Sequence, residues 1–433
     1  MKSLRIPACV SGILSVFALV ILGGFALSSH SSVAFANDGE EWMNFGNSSP
    51  STDWEQPFDR SFARKWENNP QRGFPTLSKR NVIPLKAAIK RYSRIVANGG
   101  WKSVPKFKLR TGTKHIAVAY LRRRLEISGD LRQRSGYPKM FDSYVDKALK
   151  RFQVRHGLTP TGVVDKRTLA ALNVPASARL RQLRTNLVRL KTLSGAAAGR
   201  YIAVNIPSAQ VEAVENDQVV SRHSGVVGKL DRQTPVLRSK IFQVKFNPIW
   251  TLPPTVIERD IIPKGREMGR QGRSVLDRYS IDAYKSFGGP KLNPRNIDWS
   301  SPAAKKYVYR QQPGKENPLG FVKIDFHNRH AVYLHDTPSK SLFGRNFRAA
   351  SSGCVRVQNI QQLISWLVRD VPGWDRNRVD QMKQTGETLN VKLKTQVPIY
   401  LVYMTGWASP DGMVHFRRDL YRRDGVVLTA SAY

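Results

Sequence analysis

The sequence predicts an α+β protein: a small three-helix module with flanking helices, followed by a β-rich domain. Three observations predict this. The 433 residues with 41% hydrophobic content suffice for two or three buried cores. Helical spacing with start and stop signals runs from Pro84 to about Gly195. From Tyr201 onward, short β-branched and aromatic runs alternate with turn residues.

In chain order, Lys2 and Arg5 precede an apolar run from about Ala8 to Leu27, and a polar stretch closes with Ala34-Phe35-Ala36. That order predicts a secretory signal peptide over residues 1–36. A retained anchor is the alternative, because the run approaches spanning length, although Gly23, Gly24 and several serines dilute it. No later segment has an apolar run long enough to span, so an exported, periplasmic or cell-envelope location is expected. Residues 37–83 are rich in Ser, Asn, Asp, Pro and Gly without a sustained period and read as a mobile leader.

The run "PLKAAIKRYSRIVANGG" places Leu85, Ala88, Ile89, Tyr92 and Ile95 on one helical face and closes on glycines, giving a scaffold helix within 84–106. Three further helical patterns, "HIAVAYLRRRLEISGD", "SYVDKALKRFQVRHG" and "VDKRTLAALNV", form the module at 107–174. Leu121, Leu125, Ala148, Phe152, Leu158 and Leu172 are its expected core. A second scaffold helix, "RLRQLRTNLVRLKTLSG", lies within 175–199.

The domain at 200–424 holds strand candidates in "YIAVNIPSAQVEAVEND", "VVSRHSGVVG", "SKIFQVKFN", "GFVKIDF", "AVYLHDTP" and "VPIYLVYMTGWASPDGMVHFR". A basic, weakly periodic insert at about 258–313 is expected to be a lid or subdomain. A helix at about Asn359–Val371 follows the cysteine segment, and residues 425–433 are a tail.

Net charge is +38. Charge of that size usually suggests nucleic acid. An exported protein rarely meets it, so anionic envelope surfaces or wall peptides are the expected partners instead. Of two cysteines, Cys9 lies in the signal run, leaving Cys354 as the lone mature thiol. A lone thiol is a buried passenger, an intermolecular partner or a nucleophile.

The segment "AVYLHDTPSKSLFGRNFRAASSGCVRV" holds the groups that thiol acyl transfer requires. A nearby imidazole that takes the proton makes a cysteine a good nucleophile, and His335 is the candidate base for Cys354. Strand alternation sets Val332 and Leu334 on one face and Tyr333 and His335 on the other. Asp336 then points away from His335, and a backbone carbonyl is the expected orienter. Gly353 permits close backbone approach, and the N–H groups of Gly353 and Cys354 are candidate oxyanion donors. Arg356 shares the cysteine's face if the segment is extended, and binds a substrate carboxylate, holds the loop or is solvated. Tyr333 and Ser352 complete the candidate substrate-binding set. His327 and His330 read as structural or solvated. No zinc-spaced Cys/His cluster and no phosphate-binding glycine loop is present, so no metal or cofactor is expected.

The module, with "VDKALKRFQVRHGLTPTGVVDKRTLAALN", resembles the three-helix peptidoglycan-binding domain. The domain from Tyr201 to Asp424 resembles the L,D-transpeptidase catalytic domain of the large branch, on "VVGKLDRQTP", "NPIWTLPP", "RQQPGKENPLGFVKIDF", "VYLHDTP", "SSGCVRV" and "DGMVHFRRDLY". Many family members have histidine before the Gly-Cys pair; Ser352 stands here, as in large-branch members.

The resemblance implies cross-linking of peptidoglycan stem peptides. Cys354 would attack the third residue of a donor tetrapeptide, release D-Ala, and pass the acyl group to an acceptor amine. It also implies acylation by carbapenem-type β-lactams. Two alternatives remain: the same chemistry with another acceptor, tethering an outer-membrane protein or using water, and a non-catalytic peptidoglycan-binding scaffold in which the thiol is incidental.

Overall fold

The computed structural model describes residues 70, 72–132 and 136–424. The expected signal segment, most of the leader and the tail lie outside the described residues.

Helix α1 (Val82–Ala97) buries Leu85, Ala88 and Tyr92, the face its spacing predicted. It begins two residues before Pro84, behind a 3-10 turn at Lys79–Asn81 in which Ser78 caps the Arg80 amide. In the module, α2 (Ile116–Ser128) ends at Gly129 with φ 81°. Helices α3 (Ser143–Arg155) and α4 (Lys166–Leu172) start at the aspartate caps Asp142 and Asp165. Leu121, Leu125, Ala148, Phe152 and Leu172 form its core. Leu158 does not: the chain has already left α3, and this side chain is half-buried at a cavity facing the β domain. Helix α5 (Ala176–Ser194) then leads into the sheet.

The sheet strands are β1 (Arg200–Asn205), β2 (Gln210–Glu215), β3 (Gln218–Gly228), β4 (Leu237–Phe246), β8 (Val322–Phe326), β9 (Leu334–His335), β10 (Ala349–Ser351), β11 (Val355–Val357) and β12 (Leu389–Val402). Strand β3 pairs β2 along its first half and β11 at Gly225 and Val226, so the order β3-β11-β9-β8-β4-β12-β1-β2 returns to β3 and closes a ring. Strand β10 attaches outside it, beside the end of β3. Closure removes the exposed edges an open sheet would leave.

Alternation sorts two cores. Ile202, Val204, Ile399 and Leu401 point inward, against the helices α8 (Ile360–Val368) and α9 (Arg376–Thr385). Tyr201, Ala203, Tyr400 and Val402 point outward, under α1 and α5. The module is tied on by Arg155, which is bidentate to Asp130 at 2.6 Å and donates to the Val414 carbonyl at 3.1 Å.

The expected insert has a core of its own, extending from Trp250 to Leu319. Its strands β5 (Trp250–Thr251), β6 (Ile281–Tyr284) and β7 (Val308–Gln311) form a three-stranded sheet in the order β5-β7-β6. Helix α6 (Ile262–Arg270) follows a single π turn at Ile257–Ile261.

Candidate active site

Strands β9 and β11 run parallel, with Leu334 opposite Val355 and His335 opposite Arg356. Continuing that register sets Cys354 beside Tyr333, whose carbonyl accepts from the Val355 N–H at 3.0 Å. Partners in parallel register share a face. Val332, Leu334, Val355 and Val357 turn into the ring's core. Tyr333 packs against the Trp250–Leu319 subdomain, where the Trp250 indole N–H donates to its hydroxyl at 3.0 Å. Cys354, Arg356, Tyr333 and His335 therefore occupy the face below the subdomain. The diagonal offset between Cys354 and His335 corresponds to about 8 Å between backbones, a span two inclined side chains can bridge.

The turn before the thiol is tightly held. Gly353 has φ 117°, a region that side-chain-bearing residues rarely enter. Its carbonyl accepts from Thr234 Oγ1 at 2.8 Å, and that oxygen in turn accepts from the Gly228 N–H at 2.9 Å. Ser351 Oγ donates to the Cys354 carbonyl at 2.5 Å and accepts from the Gly353 N–H at 3.2 Å. The sequence suggested two oxyanion donors; the Gly353 amide is engaged inside the turn. Among the described residues the Cys354 N–H has no such partner and remains the available donor.

His335 is 3% exposed, and its Nδ1 has no partner in hydrogen-bonding geometry. Burial, then the charges of Arg356 and Lys323, push its pKa down to about 3, against opposing backbone hydrogen bonding to Asp336 and Pro318. Lys323 stands opposite His335 on the neighbouring strand. Burial pushes the Cys354 thiol up, opposed by hydrogen bonding from Tyr333 and the charges of Lys323 and Arg356. Both directions favour a neutral thiol–imidazole pair at rest. The half-buried thiol lies 3.9 Å from the Ala331 carbonyl.

The structure brings together Cys354, His335, Tyr333 and Arg356. Arg356 is 1% exposed, so it is a charge in the floor rather than a solvated side chain. Ser352 faces a different partner, Arg232, whose Nη1 donates to its hydroxyl at 2.9 Å and lies 3.0 Å from Asp260 Oδ2. Asp260 sits in the π turn of the subdomain, so this triad couples subdomain to cysteine turn. Asp336 accepts from the Phe321 N–H at 3.3 Å and pairs with Lys340, leaving His335 to others. His327 stacks on Phe242 at 4.4 Å. Sequence reasoning missed Arg232, Asp260, Thr234, Lys323 and Trp250. Four of them lie in motifs quoted above, but nothing in the sequence pattern aims them at the thiol. Among the described residues, no group of three or more His, Cys, Asp or Glu side chains converges as a metal site requires.

Residues 199–399 match the family described as the L,D-transpeptidase catalytic domain, and residues 114–172 match a peptidoglycan binding domain. A Haemophilus influenzae protein assigned as an L,D-transpeptidase is 32% identical over 248 residues, 56% of this chain and 48% of that protein. The chain thus spans about half the length of that curated relative. Among solved structures, the L,D-transpeptidase of Xylanimonas cellulosilytica (residues 123–326) is similar at 15% identity, covering 70% of this chain and 100% of that one, with TM-score 0.23. An LD transpeptidase in complex with imipenem is similar at 12% identity, 48% of this chain and 60% of that one, with TM-score 0.23.

Proposed function

On the premise that the chain carries an L,D-transpeptidase catalytic domain behind a peptidoglycan-binding domain, we propose that it cross-links peptidoglycan stem peptides in the cell envelope through an acyl-enzyme on Cys354. The observation that supports this best is the parallel β9–β11 register, which places Cys354, His335, Tyr333 and Arg356 on one face under a subdomain.

In this reading the Cys354 thiol gives its proton to His335 as sulfur attacks the carbonyl of the donor's third residue. The Cys354 N–H stabilises the developing oxyanion. The C–N bond to D-Ala breaks as His335 returns the proton to the leaving amine, and a thioester remains. An acceptor amine then attacks, His335 takes its proton, the C–S bond breaks, and the thiolate recovers the proton. A resting imidazole with pKa about 3 is a weak base. A donor carboxylate set against Arg356 and Lys323 would offset the charges that depress it, so binding would strengthen the base. The strained ring of a carbapenem mimics the donor carbonyl and would acylate the same sulfur.

The test is intact-protein mass and product chromatography after incubation with disaccharide tetrapeptide. Thioester mass, D-Ala release and dimers, all absent in Cys354→Ala, are expected. Turnover that survives Cys354→Ala would sink the assignment, and binding without turnover in either protein would leave a scaffold.

A further inference from the structure

A cavity of 1140 Å³ opens where α4, α5, β10 and the stretch after β14 (Val414–Phe416) meet. None of Cys354, His335, Arg356 and Tyr333 lines it. Its lining contains Arg167, Arg179, Arg181, Arg184, Arg417 and Arg418, and none of these six forms an ion pair with a carboxylate among the described residues.

One of the arginines lies deep and a second is half-buried. Arg179 is 6% exposed, with Nη1 donating to Gln182 Oε1 at 2.9 Å, Nη2 donating to the Ala171 carbonyl at 3.2 Å, and Nε without a partner. Arg417 is held by the carbonyls of Arg155 and Phe416 at 2.9 and 2.8 Å. His156, 7% exposed, also reaches the cavity with Nε2 unpartnered. The carboxylates on the wall are already engaged: Asp424 with Arg189 at 2.9 Å, and Asp419 with the Tyr403 hydroxyl at 2.6 Å.

Buried guanidinium groups without counter-charge are costly, and an anion entering the cavity would supply it. The planar guanidinium fork matches carboxylates. The volume exceeds what a single small anion fills and lies just above the roughly 300–1,000 Å³ range of drug-sized ligands. Apolar wall from Ala170, Ala171 and Leu158 on the binding module faces Ile206, Val227 and Ala349 of the β domain. A ligand there touches both domains at once.

We propose that this cavity is a second binding site, separate from Cys354, for an anionic peptide of the wall polymer. The choice of wall peptide rests on the function proposed above. The site would hold a strand through its carboxylates while the thiol works on another part of the substrate.

The test is calorimetric titration of the full chain carrying Cys354→Ala with disaccharide tetrapeptide. Because the readout is binding with the thiol removed, failure of the cysteine chemistry would not move it. Binding should weaken tenfold or more in Arg181→Gln/Arg184→Gln, a change at exposed positions, and in Arg179→Gln, with thermal melting confirming that each variant is folded. Amidating the peptide's carboxylates should weaken binding comparably. Unchanged affinity in the folded rim variant overturns the proposal. So does inorganic phosphate binding as tightly as the peptide, or a peptide signal lost only in Arg356→Gln.

Discussion

Gly353 fixes how the thiol is presented, and its backbone carries the constraint. A β-carbon there would find its nearest neighbour at 3.6 Å, ordinary contact, so the obstacle to substitution is φ 117° alone. Gly353→Ala should therefore cost about 1–3 kcal/mol in urea unfolding, and should slow alkylation of Cys354 by iodoacetamide as the turn relaxes. Full stability with unchanged alkylation would mean the turn is not strained. His335 gives a sharper residue-scale expectation. With its pKa pushed down to about 3, the imidazole is neutral across the working range. kcat/KM, which reports the free enzyme, should show no inflection between pH 5 and 7. The acidic limb of kcat should lie higher, because a bound carboxylate offsets Arg356 and Lys323. An inflection of kcat/KM near pH 6.5 that belongs to His335 would contradict the burial argument. Cys354 and His335 could be read through their pairing in one segment, since either alone reads as a core or passenger residue. Lys323 could not, since its place beside His335 depends on the β8–β9 register, which the one-dimensional pattern does not carry.

Among the elements, the link between the subdomain and the cysteine turn is the Arg232–Asp260 pair, with side chains 9% and 3% exposed. Removing Asp260 leaves Arg232 buried with only the exposed Asp231, 3.8 Å away, as counter-charge, so Asp260→Ala should cost about 3 kcal/mol. It should also free Ser352 from its anchored donor and slow Cys354 acylation by a carbapenem. The double change Arg232→Met/Asp260→Leu should restore most of the stability without restoring acylation. If stability and acylation recover together, the pair is only a structural staple. The subdomain's three-stranded sheet was illegible for a physical reason: its strands are two to four residues long, too short to establish a period. Helix α9 was missed likewise, because only Val379 and Met382 of its ten residues are buried. By contrast β4 runs ten residues, and the second half of β12, Val397–Val402, is a continuous apolar run apart from Pro398. The first half of β12, with its exposed lysines and Asn390, still fell outside the reading.

For the whole molecule, packing of the ring, the binding module and the strand pair at Gly406–Phe416 buries imidazoles that the unfolded chain leaves wet. His223 on β3 donates from Nδ1 to the Gln358 carbonyl and accepts from the Ser221 hydroxyl at Nε2, both at 2.9 Å, and burial pushes its pKa down to about 4. His156, stacked on Phe152 at 3.8 Å, is pushed well below the usual range by burial and the neighbouring arginines. Together with His335 and His415, four imidazoles among the described residues stay neutral in the folded chain where the unfolded chain takes up protons near pH 6.5. The sign follows from which state binds more protons: the unfolded state does, so stability falls as pH drops through 6.5, down to about 4 for His223 and about 3 for His335. Four such groups predict a loss of about 5 kcal/mol between pH 7 and 5.5, before most carboxylates begin to titrate. Urea unfolding at half-unit pH steps measures it, and His223→Asn should remove about a quarter of the slope. A stability flat from pH 7 to 5.5 would mean that these imidazoles reach solvent and protonate in the folded state, against the burial that depresses them.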